Sequence, residues 1–176
     1  MQSNVCHLFE VPQHRQAVAR LIHEEFWTQV PGASVLSMAR RLEQADSADR
    51  LPLCLVALHD GAVLGTVNLV QSDDDDHPEW RPWLAGMVVA QAWRGHGVGS
   101  ALVGALLAEA RRLGVARVYL GTDGPGFFTR LDAVLHQQVR ADFCFMRFAW
   151  LAGCRGGTAA SVARATKAAR QGNAET

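Results

Sequence analysis

A chain of 176 residues, 49% hydrophobic and 19% charged, can bury one substantial core but cannot hold two ordinary domains. Its 17 basic side chains balance its 17 acidic ones, which removes the electrostatic case for nucleic acid or an anionic membrane as partner. Cys6, Cys54, Cys144 and Cys154 form no CxxC pair, no signal-peptide pattern opens the chain, and no apolar run reaches the ~20 residues of a membrane span, so a soluble protein of the reducing cytoplasm is expected.

After a short first strand, "HRQAVARLIHEEFW" sets Val18, Leu21, Ile22 and Phe26 at helical spacing, and "ASVLSMARRLEQA" repeats the pattern with Val35, Met38 and Leu42. These predict two amphipathic helices. "LPLCLVALHDGAVLGTVNLVQ" holds two β-rich runs around Asp60-Gly61, a strong two-residue turn signal, and predicts a hairpin. The charged, proline-containing "SDDDDHPEW" predicts a loop, and "RPWLAGMVVA" another strand. Glycine-rich "QAWRGHGVGSALV" follows, leading into a helix whose apolar face is Val98, Leu102, Leu106, Ala110 and Leu113. Arg111 and Arg112 suit its negative end and Gly114 a left-handed cap. "VARVYLGT" completes a strand-helix-strand crossover, whose two strands are predicted to be parallel neighbours. "GPGFFTRL" reads as a loop with a short helix, and "AVLHQQV" and "DFCFMRFAW" as late strands. Residues 153–176, small with scattered basic groups, predict a mobile or loosely helical tail beyond a single domain at 1–152.

Glycines at a helix start let a ligand approach the backbone, where free N–H groups and the dipole favour an anion. A nucleoside triphosphate loop needs Gly-Lys-Ser/Thr, and the only lysine, Lys167, lies in the tail. A dinucleotide fold wants a third glycine where Ser100 stands, and too little chain follows Asp123 to complete it. Use of the glycines as a plain turn is the bland alternative. The remaining pattern, Arg94-x-x-Gly97-x-Gly99 within "WLAGMVVAQAWRGHGVGSALVGALLAEARRLGVARVYLGT", resembles the acetyl-CoA-binding core of the GNAT acetyltransferases. The resemblance covers roughly residues 5 to 150 and implies a mixed, twisted α/β sheet of about six to seven strands flanked by helices.

That resemblance implies acetyl-CoA as co-substrate and no metal. Backbone groups of Gly95, His96, Gly97, Val98, Gly99 and Ser100 would wrap the pyrophosphate, with Arg94 adding a charge-assisted contact. Gly86 inside an apolar strand suggests a bulge that leaves Met87, Val88 and Val89 to pair with the pantetheine arm. Phe127 and Phe128 stand where the family often carries a "FY..LG" segment: Phe128 replaces the tyrosine that meets the leaving thiolate, and Asp132 replaces the glycine. A phenyl ring donates no proton, so either water or another hydroxyl does, or the chain is a catalytically weak acyl-CoA-binding or sensing module. Glu79, with Asp76 and His77, is one candidate base, though a solvated acidic loop is the simpler reading of the aspartates; Asp123, at the end of a crossover strand, is a second. Glu24, Glu25, Phe26 and Trp27 fall where the family builds its acceptor wall, while Trp80, Trp83 and Trp93 are residue types that more often complete a core. The seven histidines have no metal-ligand spacing. A small-molecule or peptide amine is the implied acceptor, and dimerisation through the late strands is left open.

Overall fold

A computed structural model describes residues 4–150, so the tail expected from residue 153 lies outside the described residues. Seven strands form one sheet in the order β1-β2-β3-β4-β5-β7-β6. They are β1 (Asn4–His7), β2 (Leu53–His59), β3 (Ala62–Val70), β4 (Trp83–Val89), β5 (Arg117–Thr122), β6 (Val134–Arg140) and β7 (Phe143–Ala149). All pairs are antiparallel except β4 with β5, the two strands of the predicted crossover. The helices are α1 (Arg15–Ile22), α2 (Val35–Leu42), α3 (Val98–Arg112) and α4 (Pro125–Thr129).

Strand β2 explains why the sequence is apolar at every step there rather than at alternate ones. Leu53, Leu55 and Ala57 face the core under α3, while Cys54 and Val56 face the core under α1 and α2. A strand covered on both faces has no solvent side to mark with polar residues. On α3, Leu102, Leu106 and Ala110 are fully buried as the four-residue spacing predicts, joined by Val103 and Leu107. The helix stops in a Schellman arrangement, with Gly114 at φ +76°, Val115 N–H donating to Ala110 at 2.9 Å and Gly114 N–H to Arg111 at 3.0 Å. The β2–β3 turn has Asp60 and Gly61 both at positive φ (48° and 77°), the two-residue turn that matches strand twist.

Two features depart from the simple pattern. The first helix does not continue in α form to Trp27: after Ile22 the chain takes a π-helical turn over His23–Trp27. The acidic loop, moreover, is not wholly solvated. Its Trp80 lies over the sheet face made by Trp83, Tyr119 and Phe145, stacks at 3.7 Å on His77, and accepts a hydrogen bond from the Trp83 indole on its carbonyl. Among the described residues no helix residue joins that cluster, and the indole covers it instead.

Strand β3 comes very close to β4 and α3 at Gly65. A Cβ there would sit 2.7 Å from the Val88 carbonyl and 3.2 Å from a Leu102 methyl, so one added carbon must push backbone apart. Gly65→Ala is expected to cost about 1–3 kcal/mol, read as a lowered denaturation midpoint; an unchanged midpoint would contradict this close packing.

Candidate functional site

Strand β4 is the frame of the site. Its register with β3 runs Thr66↔Val88 and then Asn68↔Ala85, so three steps on β4 oppose two on β3 and one residue is extra. The extra residue falls at Gly86–Met87, with Gly86 at φ +54°, a conformation that strains an L side chain. Asn68 supports the bulge: its amide donates to the Ala85 carbonyl at 3.4 Å, and a Cβ on Gly86 would come within 3.0 Å of it. Against β5, β4 has one registered pair, Trp83↔Tyr119. Beyond it the two parallel strands part. The β4 edge through Met87, Val88 and Val89 is therefore without a strand partner on that side, as expected from Gly86.

The chain leaves β4 through a 3-10 turn, Gln91–Trp93, and enters α3 through the glycine loop. Gly95 and Gly97 sit at φ +79° and +80°, with open space where a Cβ would point. Gly97 is the helix N-cap and provides no side-chain acceptor. Among the described residues, no backbone N–H from Gly95 to Ser100 finds a protein acceptor; Ala101 is the first that does, onto the Gly97 carbonyl at 3.0 Å. Six amides (95 to 100) at the positive end of a 15-residue helix form an anion-binding nest. The Val98 side chain is buried in the core, leaving its amide as the group a ligand can reach. Gly99 has a different reason to be glycine: a Cβ would lie 3.0 Å from the Met87 Cε and 3.2 Å from the Phe127 ring. Phe127 and Phe128 on α4 meet edge to face at 4.9 Å, and the Phe127 ring lies against the helix start at Gly99. Asp132, just beyond, takes φ +70°, the conformation for which glycine is the easier residue.

Arg94 occupies an unexpected place. Its Nε donates to the Val89 carbonyl at 2.9 Å, and one of its terminal nitrogens pairs with Glu25 at 2.9 Å. It thus ties the end of β4 to the π-helical turn after α1, and its remaining N–H groups have no partner among the described residues. His96 turns back, with Nδ1 2.9 Å from the Arg94 carbonyl. The π turn carries Trp27 as well, whose ring lies under the Arg41 guanidinium at 5.4 Å. Ile22, the last α1 residue, has a methyl 4.0 Å from where a Gly86 Cβ would be, so the turn begins directly over the bulge.

The two candidate bases lie at opposite ends of β4. Asp123 is four residues past Tyr119 and Met87 four past Trp83, so the single registered pair puts Asp123 at the height of the bulge, across the gap. Glu79 is four residues before Trp83, exposed and 3.7 Å from His77. Trp83 is buried, Trp80 packs over it, and Trp93 borders the α3 core. Among the described residues no cluster of three metal-ligating side chains exists, and no helix is long and apolar enough to cross a membrane. Sequence reasoning alone does not single out Asn68 or Arg41. An asparagine within the apolar "AVLGTVNLV" is the visible signal for the first.

Thiol chemistry has little footing here. Burial pushes the Cys54 thiol up to about 12, with Thr66 Oγ1 3.5 Å away, and burial together with Glu10 raises Cys6. A thiolate is the nucleophile, so Cys54 is inert near neutral pH.

The chain matches the family described as Acetyltransferase (GNAT) over residues 19–130. No curated protein matches it. Among solved structures, an aminoglycoside 6'-N-acetyltransferase complexed with coenzyme A is similar at TM-score 0.67 and 14% identity, covering 88% of this chain and 99% of that one. A Salmonella typhimurium protein solved with its cofactor acetyl-CoA gives 0.67 and 17%, over 90% and 99%. A phosphinothricin acetyltransferase from Sinorhizobium meliloti in complex with AcCoA gives 0.69 and 17%, over 90% and 95%.

A thiol reagent applied to the native protein at pH 8 is expected to leave Cys54 unmodified until the chain is unfolded; rapid modification of native Cys54 would contradict its burial.

Proposed function

This chain belongs to the GNAT acetyltransferase family, with acetyl-CoA as co-substrate, and we propose that it transfers the acetyl group to a primary amine by direct attack in a ternary complex. The run of partnerless amides from Gly95 to Ser100, beside the unpaired edge of β4, carries this reading. The nest suits the pyrophosphate in charge and in donor number, and one free N–H of Arg94 adds to it. The edge at Met87–Val89 suits the amide-bearing pantetheine arm, which pairs as an added strand would, between Phe127, Phe128 and the bulge.

In that pose the thioester lies beside the bulge. A backbone N–H of the Met87–Val89 segment polarises its carbonyl. The neutral amine nitrogen attacks the carbonyl carbon, the carbon–sulfur bond breaks, and the electron pair leaves with sulfur. The parent thiol has a pKa of roughly 8.5, so the thiolate leaves without an acid in place, consistent with phenylalanine at 128. The amine's surplus proton needs an acceptor, for which Asp123 and Glu79 are the candidates. Register favours Asp123: Tyr119 faces the α1–α2 side of β5, and strand alternation carries Asp123 toward that side. The inertness of Cys54 supports direct attack over an acyl-cysteine route.

Glu25 and Trp27, on the π turn over the bulge, form the acceptor wall in this reading. Acceptors differ among the similar structures, aminoglycoside in one and phosphinothricin in another, so fold likeness leaves this chain's acceptor to its own residues. Exposed Val134, Leu135 and Val139 on edge strand β6 support a homodimer formed through the late strands.

Gly97→Glu, which puts a carboxylate into the nest, is expected to weaken acetyl-CoA at least ~10-fold, about 1.4 kcal/mol, by titration calorimetry; equal affinities would remove the coenzyme site. Asp123→Asn is expected to lower kcat/KM for a good amine by about 100-fold at pH 7, the range of a lost general base. A loss with Glu79→Gln in its place would move the role there. Coenzyme binding without turnover across an amine panel would replace the enzyme by a binding or sensing module, the reading that Phe128 keeps in view.

A further inference from the structure

Between the π turn and α2 lies a pocket of about 270 Å³, lined by His23, Trp27, Pro31, Ser37, Met38 and Arg41 among others. The elements next to it approach the bulge. Ile22 stands over Gly86 immediately before the turn, and Met38 belongs to the same buried cluster as Ile22 and Val88. Its charge is one-sided. No carboxylate lines it, because Glu25 is engaged by Arg94 and Glu24 borders a separate hollow with Arg20 on another side of the helix. Arg41 is exposed, lies over the Trp27 ring, and has no ion-pair partner among the described residues. The hydroxyl of Ser37 donates to the Ser34 carbonyl and that of Ser34 accepts from the Ser37 amide, so both serve the helix cap. The guanidinium is therefore the pocket's strongest uncommitted donor.

A pocket of this size falls at the small end of ligand sites and takes a compact molecule. A guanidinium held against an indole offers paired donors in the geometry of a carboxylate, whereas a polycation would need carboxylates that the pocket does not have. We propose that the acceptor is a small amine bearing a carboxylate, such as a free amino acid, with its carboxylate on Arg41 and its amine directed to the bulge at Gly86. The proposal rests on the reading of the chain as an N-acetyltransferase and adds the class of its acceptor. Trp27 then serves twice, since its ring holds the guanidinium in place and also provides the apolar wall along which a small side chain lies.

The test uses the full chain with acetyl-CoA, the twenty L-amino acids and their carboxamides as paired acceptors. At least one acid is expected to be acetylated with a KM about 10- to 100-fold below that of its amide, the range of a charge-assisted contact. Arg41→Gln should abolish that preference while leaving the KM for acetyl-CoA unchanged, and Arg41→Lys should restore part of it, which loss of packing alone would not do. Acids and amides turned over alike in the wild type, or a preference that survives Arg41→Gln, would overturn the assignment of Arg41 while leaving the enzyme reading intact. Uncharged amines acetylated with no acid accepted would overturn the acceptor class. Coenzyme bound with nothing acetylated at all would overturn the enzyme reading, and this inference with it.

Discussion

The extra residue in β4 is what the rest of the site depends on. A strand with two partners spends its backbone groups on them, and a ligand finds none free. Here β3 holds β4 by a ladder that closes up at Gly65, while the bulge at Gly86 turns the other edge of β4 away from β5 after a single pair. The same departure leads the chain into a loop and helix start whose six amides, 95 to 100, have no acceptor among the described residues. An unpaired edge and an unpaired helix end, both costly if buried dry, meet on one side of the molecule. In the proposed reading they take a pantetheine arm followed by a pyrophosphate.

The wall proposed for the acceptor holds a second local irregularity. The π turn after Ile22 changes which residues share a helix face, so that Glu25 reaches Arg94 while Trp27 reaches Arg41. Irregular turns of this kind recur where a helix serves function rather than only packing. The Arg94–Glu25 pair is half exposed and contributes at most about 1 kcal/mol to stability. Its interest is positional, since one guanidinium touches the end of β4 and the π turn at once. At the far end of β4, Trp80 covers a stretch of sheet on which no helix among the described residues packs, which explains an indole in an otherwise acidic loop.

Local and short-range signals are readable in the sequence. Asp60-Gly61 marks the hairpin because a type I′ turn needs positive φ at both positions, and Gly114 after two arginines marks the end of α3. Gly86 and the Arg94–Ser100 motif mark the bulge and the nest, because each asks for a backbone that other residues resist. Long-range facts are not readable. Nothing local places β7 between β5 and β6, pairs Glu25 with an arginine 69 positions away, or sets Arg41 over Trp27. Gly65 looks like an ordinary strand glycine and Gly99 like one more amide of the motif, and only the approach of Val88, Met87 and Phe127 shows why a side chain fails there. Hydrophobic spacing over His14–Trp27 fits one uniform helix, because of the positions that set it, Val18, Leu21, Ile22 and Phe26, only Phe26 lies in the π turn, and one residue cannot report a change of period.

Amide resonances report most directly on whether the loop amides are the anion site. In a 15N-labelled sample, titration with coenzyme A is expected to shift the amides of Gly95, Gly97 and Gly99 strongly downfield. Titration with pantetheine, which lacks the pyrophosphate, should leave them in place and move Met87 to Val89 instead. Tight coenzyme A binding with the three glycine amides unmoved would contradict the account.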